Sequence, residues 1–232
     1  MNRIKEAAIL AIGMIVLGLC IKWGIDDFAN KDRVVTVKGL AEKEVEADKV
    51  TWPIQTKEIG DDLPALYSKI NATTEKVKAF LRQNGVKEQE ISVNAPVVVD
   101  LKAERYGADN HRYRYNITST ITVTSRDVKL VRGIIARQGE LLKQGVAVVE
   151  GGYGNDVTYE YVSFQKMKPE MMQEAIKNAE LTARQFAENS SSELGKITNA
   201  SQGQFSIDDR DANTPYIKKV RGVITVTYSL KD

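Results

Sequence analysis

One order of elements occurs twice in this chain and limits its architecture more than any other feature. The first pass runs from Val50-Thr51-Trp52 through a helix and a strand to Ile121-Thr122-Val123-Thr124. The second runs from Val157-Thr158-Tyr159 through a helix and a strand to Ile224-Thr225-Val226-Thr227. Strand pairs separated by single helices predict an α+β fold, with helices mainly on one face of a mostly antiparallel sheet. The pattern therefore reads as two β-α-β-β passes joined by a middle helix. A leading strand at residues 34–38 precedes them.

Three helices carry this reading. The first follows Asp61-Asp62, has Pro64 in its first turn, and repeats Leu63, Leu66, Ile70, Thr74, Val77 and Leu81 at three- and four-residue steps; Asn84-Gly85 supplies its stop. The second starts at Asp127, a good N-cap, and runs through Val131, Ile134, Leu141 and Leu142 to Gly145. The third begins at Pro169 and carries Ala175, Ala179, Ala183 and Ala187, with Met172, Ile176 and Phe186 beside them, and runs to Leu194 before Gly195. A strip of alanine permits very close approach to whatever it covers.

The strands show two-residue alternation. Val50, Trp52 and Ile54 share a face, as do Ile91, Val93, Ala95, Val97 and Val99. Tyr113, Tyr115, Ile117, Ile121 and Val123 follow, then Val157, Tyr159 and Tyr161, and last Ile224, Val226, Tyr228 and Leu230. Residues 100–110 and 207–216 read as surface loops.

Residues 7–21 (AAILAIGMIVLGLCI) carry no charge. As a helix they cover about 22 Å, against a hydrocarbon core of about 30 Å. Ile4, Trp23 and Ile25 extend the run, and Lys22 can snorkel to the surface. Arg3 and Lys5 precede it, which keeps that end in the cytoplasm and puts the body outside. Residues 1–25 thus read as a single-pass anchor in the cytoplasmic membrane or an uncleaved signal, with contact to lipid through residues 4–25. A linker at 26–33 and one exported domain at 34–232 follow. A cleaved signal peptide competes with this reading, but the residues after the run offer no good small-x-small site. Leu17-Gly18-Leu19-Cys20 approximates a lipoprotein box, with Leu19 too large for its position. All three readings place the body in the same compartment.

The chain has 232 residues, 42% hydrophobic and 28% charged, enough for a folded core. Arg3, Lys5 and Lys22 against Glu6 supply the whole net charge of +2, so the body is neutral. A neutral body gives no reason to expect nucleic acid as a partner. One His and one Cys exclude a His-rich metal site, a CxxC pair and an internal disulfide.

No residue is assigned a catalytic, cofactor-binding or metal-binding role, and no cofactor is expected. His111 lies in a basic and aromatic interleave, but strand alternation separates Arg112 and Arg114 from Tyr113 and Tyr115. Residues 209–213 match the start of a calcium loop, yet Thr214 and Val220 stand where Gly and Glu are needed. Gly151-Gly152-Tyr153-Gly154 lacks the Lys-Ser/Thr of a phosphate loop. Ser190-Ser191-Ser192 has no G-x-S-x-G context. Glu42, Glu44, Glu46 and Asp48 alternate along a strand as a solvated face.

Val35-Thr36-Val37-Lys38-Gly39-Leu40-Ala41, followed by Val45-Glu46-Ala47-Asp48-Lys49-Val50, resembles the opening motif of the SIMPL domain family, also called DUF541. That motif is a strand ending in Gly, a short charged turn, then a small or Pro residue before Asp and a second strand. The alanine-striped helix followed by Leu194-Gly195-Lys196-Ile197, and the closing Val/Thr strand at 223–228, are similar to two further features of the family. Ala47 stands where Pro is common. The resemblance covers about residues 33–230. It implies a bacterial periplasmic or surface-associated protein without established catalytic residues. Some members of the family are linked to envelope stress and some self-associate. The expected function is a membrane-anchored, non-enzymatic protein of the cell envelope that forms homo-oligomers or binds an envelope partner. The alternative is a periplasmic module that binds a small molecule or peptide.

Overall fold

The computed structural model describes residues 2–30, 33–103, 112–149 and 156–231, and within the first helix the side chains of Ala7 and residues 10–25. The protein is α+β, with antiparallel sheets and, among the described residues, five α-helices. Helix α1 (Asn2–Asn30) is followed by strands β1 (Val34–Glu46) and β2 (Lys49–Gly60) and helix α2 (Leu63–Gln83). A 3-10 turn (Glu88–Glu90) leads to β3 (Ile91–Val93), β4 (Val97–Asp100) and β5 (Tyr115–Ser125). Then come α3 (Val128–Ala136), α4 (Gly139–Lys143), β6 (Val148–Val149), β7 (Thr158–Glu160), α5 (Phe164–Asn189), β8 (Glu193–Asp209) and β9 (Ile217–Lys231).

The order of elements follows the two passes, but the strands divide between two sheets and the chain between two compact units. One unit comprises Glu44–Phe164 and Asp208–Lys219. Its centre is the long β2–β5 ladder, in register from Val50 opposite Ser125 to Gly60 opposite Tyr115. Strands β3 and β4 extend it beyond β5, and β6 and β7 beyond β2. Val50, Trp52, Ile54, Ile121 and Val123 point to one face and pack against Val77 and Leu81 of α2, Val131 and Ile134 of α3, and Leu141 of α4. This is the one-sided helix layer that the alternation predicts.

Helix α2 forms as its sequence dictates. Asp62 caps it by accepting from the Ala65 N–H at 3.1 Å. Gly85, at φ +93°, closes it while the Val86 N–H bonds back to the Leu81 carbonyl. The middle helix is two helices. Arg137, Gln138, Glu140 and Leu141 each donate to the carbonyl three residues back, and this tighter turn ends α3 and starts α4. The overwinding turns Leu141 inward and leaves Leu142 exposed. The single strand expected over Ile91 to Val99 breaks at Asn94-Ala95-Pro96, where Pro96 has no N–H for the ladder. Val93, Val97 and Val99 are exposed on that edge. Tyr113 lies outside β5.

The other unit comprises Met1–Lys43, Gln165–Ile207 and Val220–Asp232. Its three-stranded sheet has the order β1-β9-β8. The leading strand does not stop at Gly39. It continues through the charged residues because Val37, Gly39 and Ala41 all turn inward while Lys38, Leu40 and Glu42 turn out. Helix α5 (Phe164–Asn189) starts five residues before Pro169 and ends before Leu194; the proline lies inside the helix, where its missing N–H removes one backbone hydrogen bond. Its buried stripe is Met167, Met171, Ala175, Ala179, Ala183 and Ala187. Met171, not Met172, belongs to it, and Ile176 and Phe186 are exposed.

Helix α1 has Leu10, Ile12, Met14, Ile15, Leu17, Trp23 and Ile25 all exposed. Among the described residues no helix is long and apolar enough to cross a membrane. The span read from the sequence is thus not carried over into the fold.

Candidate functional site

The acidic row of the opening motif is the first place to look for chemistry, and each carboxylate in it has a partner. Glu42 meets Arg221 at 3.4 Å. Glu44 meets Arg210 at 3.4 Å, and Glu46 meets Lys129 at 3.2 Å. These are exposed cross-element pairs, each worth at most about 1 kcal/mol. Asp48 differs. Its two oxygens accept from the backbone N–H groups of Val162 at 2.6 Å and Ser163 at 2.9 Å. Burial pushes its carboxyl up. The Ser163 hydroxyl, those two N–H groups and nearby Arg126 outweigh that and hold it below the usual carboxylate range. Asp48 thus pins the segment that enters α5, a structural use of the Asp in the opening motif.

The calcium-like segment is a self-contained turn. Asp211 accepts from the backbone N–H groups of Asn213 and Thr214, each at 2.8 Å, from the Thr214 hydroxyl, and from Arg210 at 3.1 Å. The Thr214 hydroxyl first and Arg210 second hold its carboxyl down at about 2. Lys218 pairs with Asp209. Ser192 Oγ accepts from Arg33 at 3.1 Å, and Ser191 sits in the left-handed region at φ 54° as the helix end closes. His111 and Gly151 to Gly154 lie outside the described residues.

What remains is a surface that the sequence left blank. Strand β8 is an edge of its sheet, paired with β9 on one side only. Residues 196–204 are exposed at every position, so both faces are open. From 197 to 207 (ITNASQGQFSI) there is no charged side chain. The strand approaches β9 closely at two glycines. A Cβ at Gly203 would come within 2.6 Å of the Val223 carbonyl oxygen, and the Phe205 ring covers Gly222. The repeat required a strand here, but no residues placed it. A strand exposed on both faces has no apolar face to alternate with a polar one, so the usual signal is absent.

The sequence profile of the SIMPL family, described as a protein of unknown function (DUF541), matches residues 35–229. The chain belongs to the SIMPL family. The match spans both compact units, so the SIMPL region of this protein runs from β1 to β9. It begins beyond the apolar N-terminal helix. The resemblance read from the opening motif, the alanine helix and the closing Val/Thr strand is therefore correct over nearly the extent proposed for it. No curated protein matches the chain.

Proposed function

We propose that this SIMPL protein is a non-enzymatic component of the cell envelope, held at the cytoplasmic membrane through the exposed apolar side chains of α1 and working by self-association through β8. The observation that carries the reading is the β8 edge. A long strand open on one edge and on both faces, without charge over 197–207, is a template for another strand. Natural edges of this length are normally blunted with Lys, Pro or a covering element. Two copies of β8 running antiparallel present the same surface to each other, which closes a two-fold dimer.

The anchor is supported by the exposed apolar side chains of α1 and by the cations Arg3 and Lys5 before them. The non-catalytic reading is supported by the pairing of the acids. Glu42, Glu44 and Glu46 face cations, and Asp48 and Asp211 face backbone N–H groups.

The test is the mass of the full chain in neutral detergent, for wild type and for Ala200→Lys/Gln202→Lys. Both substituted residues are exposed. The expected result is an oligomer for wild type and a smaller species for the variant, with circular dichroism unchanged. A wild type that is monomeric across the concentration range, or a variant of undiminished size, overturns the reading.

A further inference from the structure

The C-terminal end of α5 carries an arrangement that self-association does not use. A cavity of about 390 Å³ is lined there by Glu180, Arg184 and Glu188 of α5, by Ser192 and Glu193 after it, and by Tyr228 of β9. Tyr228 is only 4% exposed, and its hydroxyl has no hydrogen-bond partner. A buried hydroxyl left unpaired is costly, and native chains rarely keep one without a use.

The charge around it is lopsided. Arg184 pairs with Glu180 at 2.7 Å, and Arg33 reaches Ser192 from the strand side. Among the described residues Glu188 and Glu193 have no ion-pair partner. The last turn of α5 contains no base, although the helix end already carries partial negative charge. Glu180 also acts on Tyr228: burial first, and this carboxylate second, raise the phenol above its ordinary value. The site therefore holds more negative charge than it neutralises.

We propose that this cavity binds a small aliphatic amine, one ammonium lying between the Tyr228 oxygen and Glu180 and a second positive group meeting Glu188 and Glu193. The phenol oxygen accepts from the ammonium, so the orphaned hydroxyl gains a partner. Arg184 is the side chain that yields. It is exposed and held to Glu180 by a weak i,i+4 pair, which an incoming ammonium replaces. Among the described residues no three metal-ligating side chains converge. Dispersed carboxylates suit an extended organic cation better than a point charge. The volume lies within the range of small-ligand sites. The ammonium has two sources, a free diamine or a lysine side chain on a polypeptide.

The test is calorimetric titration of the full chain in neutral detergent with 1,4-diaminobutane and, separately, with Nα-acetyl-lysyl-lysine methylamide, a lysine derivative with two ammonium groups, at constant ionic strength. Saturable binding is expected, weakened at least tenfold by Tyr228→Phe and by Glu188→Gln/Glu193→Gln. Tyr228→Phe should melt no lower than wild type, because the hydroxyl it removes has no partner. The glutamine variant, with both changes exposed, reads the site independently of that core position. Tighter binding of the diamine assigns a free amine as occupant, and tighter binding of the lysine derivative assigns a polypeptide side chain. Absence of saturable binding to either probe, or binding unchanged in both variants, overturns the proposal. Neither outcome depends on the mass of the particle, so the site and the β8 interface fail or stand separately.

Discussion

Replacing Gly39 with alanine adds one methyl group where β1 lies directly against the backbone of α5. A Cβ there would lie 2.8 Å from the Ala179 Cβ and closer still to the Ala175 carbonyl oxygen. The obstacle is helix backbone, so no rotamer change relieves it; α5 as a whole must move outward. Overpacking of a tight core costs about 1–3 kcal/mol, and a backbone obstacle puts this case at the upper end. Alanine in a strand interior recovers about 0.5–1 kcal/mol of the conformational entropy that glycine loses. The net cost is about 2 kcal/mol. For a body of this size that is a fall in Tm of about 4–8 °C. The assay is thermal unfolding of the full chain in neutral detergent, followed by circular dichroism. Gly13→Ala is the control, because nothing lies within 4 Å of its added methyl. If Gly39→Ala melts at or above wild type, the glycine is not the reason α5 sits so close, and the packing argument fails.

Two further outcomes follow from named contacts. Asp48→Ala removes the acceptor for the Val162 and Ser163 N–H groups, and stability at pH 7 should fall by about 1–3 kcal/mol in urea titration. The folded-state value of Asp48 is lowered, so its contribution is full above the unfolded value near 3.9 and is lost as pH falls through the folded value. The gap between wild type and variant should therefore narrow below about pH 4; a gap that widens there refutes the assignment. Ser191→Gly relieves a non-glycine residue at φ 54°. The strain is about 1–2 kcal/mol and the added chain entropy about 0.4–1 kcal/mol, so Tm should rise by a few degrees, by differential scanning calorimetry. A lower Tm would mean that Ser191 is not strained.

Wherever one face of an element is buried, periodicity in the chain states the outcome. Val50, Trp52 and Ile54 of β2, Ile117, Ile121 and Val123 of β5, and Ile70, Val77 and Leu81 of α2 all lie in the core that their spacing indicates. The alanine stripe of α5 is buried for the same reason, and the SIMPL motifs follow from the same residues. Local capping is equally legible, since Asp62, Gly85, Asp127 and Gly145 act within a turn of their own position.

Where the deciding partner is distant along the chain, the pattern is silent. Nothing near Gly39 announces Ala175, and nothing near Asp48 announces Val162. Tyr228 reads as one more inward residue of a Val/Thr strand; only the meeting of β9 with the end of α5 leaves its hydroxyl unpaired beside carboxylates. Strand β8 is the opposite case. It is a strand because β9 supplies hydrogen bonds to one edge, while its open faces impose no alternation on its side chains. Burial writes itself into a sequence as periodicity; contacts between remote residues, and surfaces left uncovered, arise only when the chain has folded.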